Sequence, residues 1–489
     1  MSEAPGSATP AGRARTELLV ISTGALLVSL SQSVLVPVLS ILPERLHTSI
    51  SNVEWLLTST FLVGAVAVPL FGRMGDMFGK RRLLMVALGA LAAGSLIDAL
   101  TSNVALLIVG RAIQGASLAA IPLGISLLSS LLPRERVRSA IALISAMLGV
   151  GGALGLPLAG LVAEHSNFHV LFWITAIGGA VSLLATIAIV PRDSARAGGR
   201  LDLPGALLLS AALVALLLPL AQGSGWGWSS ARTLGLLASA VVLLGLFVLV
   251  ERRVSGPLVD LKATARRPIV LTNLASMLFG FALFASLIGT ASYVQAPAAS
   301  GYGFGSSIVV AGLCLLPSGL LMLLLAPVAA RLMGSIGANR TLSLGAVIVA
   351  AGWLERIFAT GALWQVIAGS TIVGAGTGIG YACMPALINA NTPRTELAAA
   401  NGLNSLARSL GSSLASAIGG SLLTVSTIVI AGAALPSLAA YRSLFATCAA
   451  VAVLAAVAAL FVPHDPAERS ASPAERAGAP AGATPAPEH

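Results

Sequence analysis

The turn GRMGDMFGKRR, which runs from Gly72 to Arg82, joins two apolar stretches near 53–72 and 83–101. Its glycines allow a tight turn and a close approach between helices, and Asp76 can accept hydrogen bonds from an exposed helix N-terminus. The basic cluster at its end is typical of a cytoplasmic loop. The turn therefore predicts two membrane-spanning helices that are joined on the cytoplasmic side.

The composition extends this prediction to the whole chain. Of the 489 residues, 56% are hydrophobic and 9% are charged, whereas a soluble domain is roughly 25% charged. This excludes a soluble enzyme with a large core. Stretches long enough to cross a bilayer, about 20 residues each, lie near 17–42, 53–72, 83–101, 104–128, 138–164, 169–190, 203–222, 232–251, 269–294, 306–330, 341–361, 364–390, 397–430 and 441–462. The predicted fold class is an all-α integral membrane protein with 14 transmembrane helices.

The basic residues predict the orientation of these helices. With the N-terminus in the cytoplasm, most of the 28 basic residues fall on the cytoplasmic side. The exceptions are Arg45, Arg232 and Arg442 on the outside, and Arg111, Arg356 and Arg408 within apolar stretches. This bias predicts that both termini are cytoplasmic. It also explains the net charge of +10 without a nucleic-acid partner.

No cofactor, metal site or catalytic constellation is expected. The three cysteines lie inside apolar stretches and are interpreted as small core residues. No G-x-x-x-x-G-K-[ST] phosphate-binding loop occurs in the sequence, so transport would draw on an ion gradient. The segments 1–15 and 463–489, rich in Ala, Pro, Gly, Ser and Glu, are predicted to be disordered cytoplasmic tails.

An internal repeat divides the chain. The turn from Gly72 has the same skeleton as the turn from Ala330, 258 residues later, and Pro133-Arg134 matches Pro393-Arg394 at nearly the same offset. Two close offsets indicate duplication. The predicted plan is a six-helix bundle at 16–191, a linker with two inserted helices at 192–268, and a second six-helix bundle at 269–462. Parallel repeats of this kind bind substrate between the halves.

The chain resembles the major facilitator superfamily, specifically its fourteen-span drug:proton antiporter branch, from about 17 to 462. The first turn matches the pattern G-x-x-x-D-x-x-G-[RK]-[RK], and Arg111 to Gly115 match R-x-x-Q-G. The resemblance implies a conformational switch made of Gly72, Asp76, Gly79, Lys80 and Arg81. It also implies that Asp76 meets the N-terminus of the thirteenth helix, for which Asn391-Thr392-Pro393 is the predicted cap and start.

The fifth stretch resembles the glycine-proline motif of antiporters, through Gly151, Gly155, Pro157 and Gly160. This motif implies export. The order of residues departs from the family pattern, because Leu156 precedes the proline and Ala159 replaces a glycine. The alternatives are a facilitator or importer of a small metabolite without proton coupling, and a non-transporting receptor on the same fold.

Proton coupling needs an acid in the membrane. Ser31 stands where related antiporters carry an aspartate in helix one, and a hydroxyl does not carry a proton at physiological pH. The remaining candidates are Glu54, Glu355 and Asp98. Glu54 is the first choice, with Arg111 as its predicted counter-charge, whereas Asp98 is predicted to be solvated at the outer end of its helix.

The thirteenth stretch carries a polar face that includes Arg408, and Arg111, Gln114 and Arg408 are predicted to be functional intramembrane polar residues. The predicted substrate cavity is mostly apolar, with Met277, Phe281, Tyr293, Tyr381 and Met384 as candidate lining residues. The expected protein is a monomeric, proton-coupled exporter of amphipathic small molecules, drugs or natural products, and cationic compounds are one candidate class. The bias towards arginine over lysine favours a bacterial plasma membrane.

Overall fold

The computed structural model describes residues 11–35, 38, 42–192, 201–254, 257–430 and 433–463, and most of them are helical. The long helices are α1 (Ala11–Ser33), α2 (Ile50–Phe78), α3 (Lys80–Leu100), α4 (Val104–Leu131), α5 (Arg134–His165), α6 (His169–Ile189), α7 (Leu203–Trp226), α8 (Ala231–Glu251), α9 (Arg267–Gln295), α10a (Ile308–Leu324), α10b (Ala326–Ser335), α11 (Ala338–Phe358), α12 (Leu363–Ala390), α13 (Leu397–Val425) and α14 (Leu438–Leu460). Two short strands, β1 (Thr427–Ile430) and β2 (Ala433–Pro436), form an antiparallel hairpin.

Each predicted apolar stretch corresponds to one of these helices, or to the pair α10a and α10b. Within the described residues, twelve helices are long and apolar enough to cross a membrane, and the bent pair raises this to thirteen. Helix α13 is outside that set, because its polar side chains lower its hydropathy. The helical membrane fold is confirmed, with one short hairpin added to it, and the count of fourteen spans stays a prediction.

The sequence misplaced several boundaries. Helix α1 begins at Ala11, inside the segment predicted as a disordered tail, and ends at Ser33. The stretch predicted as one span over 397–430 ends as a helix at Val425 and continues into the β1–β2 hairpin. The rest of both predicted tails, 1–10 and 464–489, lies outside the described residues.

The tenth predicted span is broken. Helices α10a and α10b meet at an angle of 42°, with Pro327 in the first turn of α10b. A proline lacks the amide proton that would continue the hydrogen-bond ladder, so it fits at a helix start and interrupts a helix interior.

The helices form two bundles, with one large buried core in α9–α14 and another in the first six helices. The halves meet where α5 packs on α10a and α2 packs on α13. Helices α7 and α8 pack on each other, and α7 also contacts α2 and α13. The inserted pair therefore lies beside the seam between the halves.

The packing supports the internal repeat. Gly79 and Gly337 are 258 residues apart and break the helices with φ of 108° and 89°. Such values suit glycine and few other residues. Gly94 lies against Gly110 between α3 and α4, and Gly352 lies against Gly369 between α11 and α12 at nearly the same offset. The two halves thus share their close helix contacts.

Candidate functional site

Asp76, near the end of α2, caps the N-terminus of α13 from across the seam. Its Oδ1 accepts a hydrogen bond from the Ala398 amide at 3.1 Å, and its Oδ2 accepts one from the Ala399 amide at 2.8 Å. Gly72 permits this approach, because a Cβ there would lie 2.6 Å from the Ala398 carbonyl oxygen. The contact that the family resemblance implied for Asp76 is present.

Lys80 binds the same segment through a carbonyl group. It is fully buried, and its Nζ donates to the Arg394 carbonyl at 3.2 Å and lies 3.6 Å from Asp76 Oδ1. A carboxylate therefore meets the amides at the helix start while an ammonium meets a carbonyl just before it. We call Asp76, Lys80 and residues 394–399 the latch.

The predicted cap of α13 is wrong. Asn391 ends α12, Pro393 precedes a single 3-10 turn (Arg394–Glu396), and α13 begins at Leu397. Its N-cap residue, Glu396, makes no side-chain capping bond. The first amides of a helix need an acceptor from outside, and Asp76 supplies it.

A second layer of hydrogen bonds supports the latch, and sequence reasoning singled out only Asn401 of it, as part of the polar face of the thirteenth stretch. Ser126 of α4 donates to the Leu397 carbonyl at 2.9 Å, and Asn389 of α12 donates to Ser129 at 2.9 Å. Asn401 donates to Asn389 at 2.6 Å. Serine and asparagine in apolar helices are ordinary interhelical donors, so the sequence offered no signal that these residues join the two halves.

A buried polar cluster lies between α3 and α4 at the opposite end from the latch. Asp98, Arg111 and Gln114 are all fully buried. Gln114 Nε2 donates to Asp98 Oδ2 at 2.9 Å, and Gln114 Oε1 accepts from Arg111 Nη1. The charges of Asp98 and Arg111 attract each other through this bridging amide. We call these three residues the acid–amide–arginine cluster.

The cluster leaves buried polar atoms unpaired within the described residues. Asp98 Oδ1 and Arg111 Nη2 have no hydrogen-bond partner. Arg111 also donates to the Ser31 carbonyl of α1 at 3.2 Å and to the Leu56 carbonyl of α2 at 3.5 Å. Arg111 thus connects Asp98 to two further helices, and one oxygen of the carboxyl group has no hydrogen-bond partner within the described residues.

Two predictions about the acids are corrected here. Asp98 is not solvated, because Gly94 and Gly110 let α3 and α4 approach closely and enclose the carboxyl group. Glu54 is exposed, and Arg111 interacts with Asp98 instead of with Glu54. Glu355 is half-buried, and its Oε2 lies against Gly369 without a hydrogen-bond partner among the described residues.

The glycine motif of α5 packs on two opposite neighbours. A Cβ at Gly151 would lie 2.7 Å from the Leu26 carbonyl oxygen of α1, and Gly155 also faces α1. On the other side, Pro157 and Gly160 contact α10a: a Cβ at Gly160 would lie 2.9 Å from the Val309 nitrogen. The motif therefore holds α5 between the first half and the second.

The polar face of α13 is used mainly for hydrogen bonds between helices. Asn404 donates to Asn273 and Ser276 of α9, and Ser412 donates to the Gly280 carbonyl. Arg408 differs, because its Nη2 donates only to Ser405 of its own helix, at 2.9 Å, among the described residues. Its guanidinium lies 4.9 Å from the centre of the Tyr381 ring.

The candidate cavity residues divide into two groups. Phe281, Tyr293 and Met384 are buried in the core of the second half. Tyr293 packs there against Tyr302 and Tyr441, at ring separations of 5.2 and 5.1 Å. Met277 is half-buried and Tyr381 faces Arg408. Tyr381 is therefore the candidate that adjoins a charged group.

The structure consists of two repeated bundles of apolar helices, which are joined by the latch. This arrangement is typical of secondary transporters. The sequence model of the Major Facilitator Superfamily matches residues 21–318 and 287–487. The chain belongs to this superfamily.

The similar proteins agree with this assignment. The chain is 30% identical over 421 residues to the tetracenomycin C resistance and export protein of Streptomyces glaucescens, covering 84% of this chain and 76% of the relative. It is 32% identical over 434 residues to the puromycin resistance protein pur8 of Streptomyces alboniger, covering 84% and 81%. The crystal structure of the human organic anion transporter MFSD10 has the same fold, with a TM-score of 0.65 at 16% identity over 92% of this chain and 100% of that one.

Proposed function

We propose that this protein exports antibiotics or similar small molecules from a bacterial cell across the plasma membrane, in exchange for protons. The names of the relatives, resistance and export proteins, support the export of drugs. Under the predicted orientation, the latch lies on the cytoplasmic side and both termini are cytoplasmic. The protein acts as a monomer in this proposal.

The latch supports alternating access. Its bonds join α2 in the first half to α13 in the second, so they are made only when the halves meet at that end. A contact available in one state biases the equilibrium between two states. Closing the latch seals the cytoplasmic end, and releasing it opens a route for substrate from the cytoplasm.

Asp98 is the proton carrier in this proposal. The coupling step is inferred from the position of Asp98 in the acid–amide–arginine cluster. A proton on Oδ1 neutralises the carboxyl group and removes the charge that faces Arg111. Arg111 then depends more on its carbonyl partners Ser31 and Leu56, on α1 and α2. The effect of protonating Asp98 thereby reaches α1 and α2, which pack around the seam between the halves.

The test is substrate-driven proton flux in everted membrane vesicles that carry a pH-sensitive dye. Respiration acidifies the lumen, and an antiporter that takes up tetracenomycin C releases protons from it. We expect wild type to show this release and Asp98→Asn to lose it. Glu54→Gln and Glu355→Gln are matched acid-to-amide controls that retain it.

The same assay separates the alternatives. Retention of full coupled flux by Asp98→Asn, with loss in Glu54→Gln or Glu355→Gln, would assign the proton to another acid. Uptake of substrate without proton release in wild type would support a facilitator, which the serine in place of the helix-one acid favours.

A further inference from the structure

Arg408 places a positive charge in the middle of α13. It is the twelfth residue of the helix, or about 16 Å along the axis at 1.5 Å per residue. This depth is close to the centre of a hydrocarbon layer about 30 Å thick. A charge at this depth faces the protein interior or a water-filled space in nearly all membrane proteins.

The surroundings of Arg408 show that it points inward. Its backbone touches α9, because a Cβ at Gly280 would lie 3.0 Å from the Arg408 carbonyl carbon. Its guanidinium lies over Tyr381, which is 3% exposed on α12. Helix α12 is itself 83% buried over its apolar stretch. Arg408 is nevertheless half-buried, so part of its side chain stays accessible to a ligand.

Arg408 has no acidic partner within the part of the chain that the structure describes. Asp76, the acid of the latch, pairs with Lys80 instead. Glu355, the acid in the apolar stretches of the second half, lies three residues from the end of α11 and packs on Gly369. An unpaired charge in a medium of low dielectric constant strongly favours a ligand of opposite charge.

We propose that Arg408 and Tyr381 form the subsite that recognises an acidic group on the substrate, a carboxylate or an ionised phenol attached to aromatic rings. This inference rests on the proposed transport function. The guanidinium presents a planar fork of donors that matches a carboxylate, and arginine and tyrosine both stack on aromatic faces.

The subsite changes the expected substrate class. The sequence alone favoured amphipathic compounds with cationic ones among them, but a cation at this position is repelled by Arg408. The subsite selects aromatic acids over neutral and basic analogues of the same size.

The test uses matched anthraquinone probes: the 2-carboxylate, the 2-carboxamide and the 2-aminomethyl compound. Binding is measured by quenching of tryptophan fluorescence in the full chain, purified into nanodiscs without an ion gradient. We expect wild type to bind the carboxylate at least about tenfold more tightly than the other two, since a hydrogen bond to a charged group contributes roughly 1.5–3 kcal/mol.

Variants of Arg408 test whether the preference for the carboxylate depends on this side chain. Arg408→Gln should weaken carboxylate binding by about 10- to 100-fold and leave carboxamide binding unchanged, while Arg408→Lys keeps part of the preference. Arg442→Gln removes an exposed arginine from α14 and should change nothing. Elution volume and unfolding temperature confirm that each variant is folded.

Equal binding of the three probes by wild type, absence of binding, or an unchanged preference in folded Arg408→Gln would overturn the subsite. Export is scored separately, as uptake of the carboxylate by everted vesicles. A carboxylate preference that depends on Arg408, together with no uptake, supports the subsite and overturns the proposed direction of transport.

Discussion

Arg111 uses its planar fork of donors on three different helices. It donates to Gln114 on its own helix and to the carbonyls of Ser31 and Leu56. Lysine at this position keeps the charge but has a single ammonium on a flexible chain. We predict that Arg111→Lys inserts and folds but exports slowly, and that Arg111→Ala loses export and is destabilised by about 3–5 kcal/mol. Export rates and unfolding temperatures of the purified variants check this.

A double variant can identify the cause of the predicted loss of stability in Arg111→Ala. If Arg111→Ala is unstable because it leaves a charged Asp98 buried without compensation, then adding Asp98→Asn should restore most of the stability. A double variant as unstable as Arg111→Ala alone would show that the arginine stabilises the fold through its carbonyl contacts instead.

The burial of Asp98 shows what a single sequence does not contain. An acid three residues from the end of an apolar stretch is usually solvated, and nothing in its neighbours in the chain indicates otherwise. The carboxyl group is enclosed because Gly110 lies directly against Asp98 Oδ1 across the interface of α3 and α4. Which glycine faces which residue depends on the register of two helices, and hydropathy does not specify that register.

We predict that Gly110→Ala disrupts the cluster. The added methyl group would lie 2.8 Å from Asp98 Cγ and 2.9 Å from the Gly94 carbonyl oxygen, so α3 must move away from α4. Overpacking of this kind costs about 1–3 kcal/mol. Gly245→Ala on α8 is the control, because nothing lies within 4 Å of its added Cβ. A thermal unfolding midpoint for Gly110→Ala equal to that of the control would contradict the close contact.

At the scale of the elements, apolar length predicted where the helices lie but not how they end. The stretch 364–390 corresponds to α12 at Leu363–Ala390 almost residue for residue. The cap of α13 was misplaced by several residues, although the stretch itself began correctly at Leu397, because the capping acceptor belongs to Asp76, 322 residues earlier in the chain. A local capping rule does not detect a cap supplied by another helix.

Two adjacent glycines of α5 provide a matched test of the packing between helices. A Cβ at Gly151 would lie 2.6 Å from Ser29 Cβ of α1, whereas nothing lies within 4 Å of a Cβ at Gly152. We predict that Gly151→Ala destabilises the protein by about 1–3 kcal/mol. Gly152→Ala should be neutral or slightly stabilising, since alanine favours the helix. Equal unfolding temperatures for the two variants would contradict the packing of α5 on α1.

At the scale of the whole molecule, the two halves share their glycine contacts but differ in their charges. Asp98 in the first half corresponds to Arg356 in the second, 258 residues later. Arg356 is fully buried, donates to Thr290 at 2.6 Å and lies over Phe445. The repeat was visible in the sequence at its turns. The inversion of charge within it becomes evident only once the helices are aligned in space.

The acid of the latch is likewise not repeated, because the second half has a glycine at the corresponding position. Gly334 stands where the first half has Asp76, and a Cβ there would lie 3.5 Å from Arg138 Nη1 at the start of α5. We predict that Gly334→Asp adds an ion pair with Arg138 across the seam, slows export and favours the closed end by about 0.2–1 kcal/mol, as expected for an exposed pair. Gly334→Asn is the uncharged control. Equal export rates for the two variants would show that no such pair forms.

We predict that the two halves separate at the latch during transport, and this movement can be measured as a distance between them. Cysteines replacing Arg82 and Arg340, exposed residues at corresponding positions of the two halves, carry spin labels for distance measurement by pulsed electron resonance. The three native cysteines are buried, which limits background labelling. We predict two distances in wild type, the shorter one dominant, and a shift of population to the longer distance in Asp76→Asn. The shift should be about 5- to 30-fold, the equivalent of roughly 1–2 kcal/mol for a charged cap. A single distance that is the same in wild type and Asp76→Asn would contradict the account.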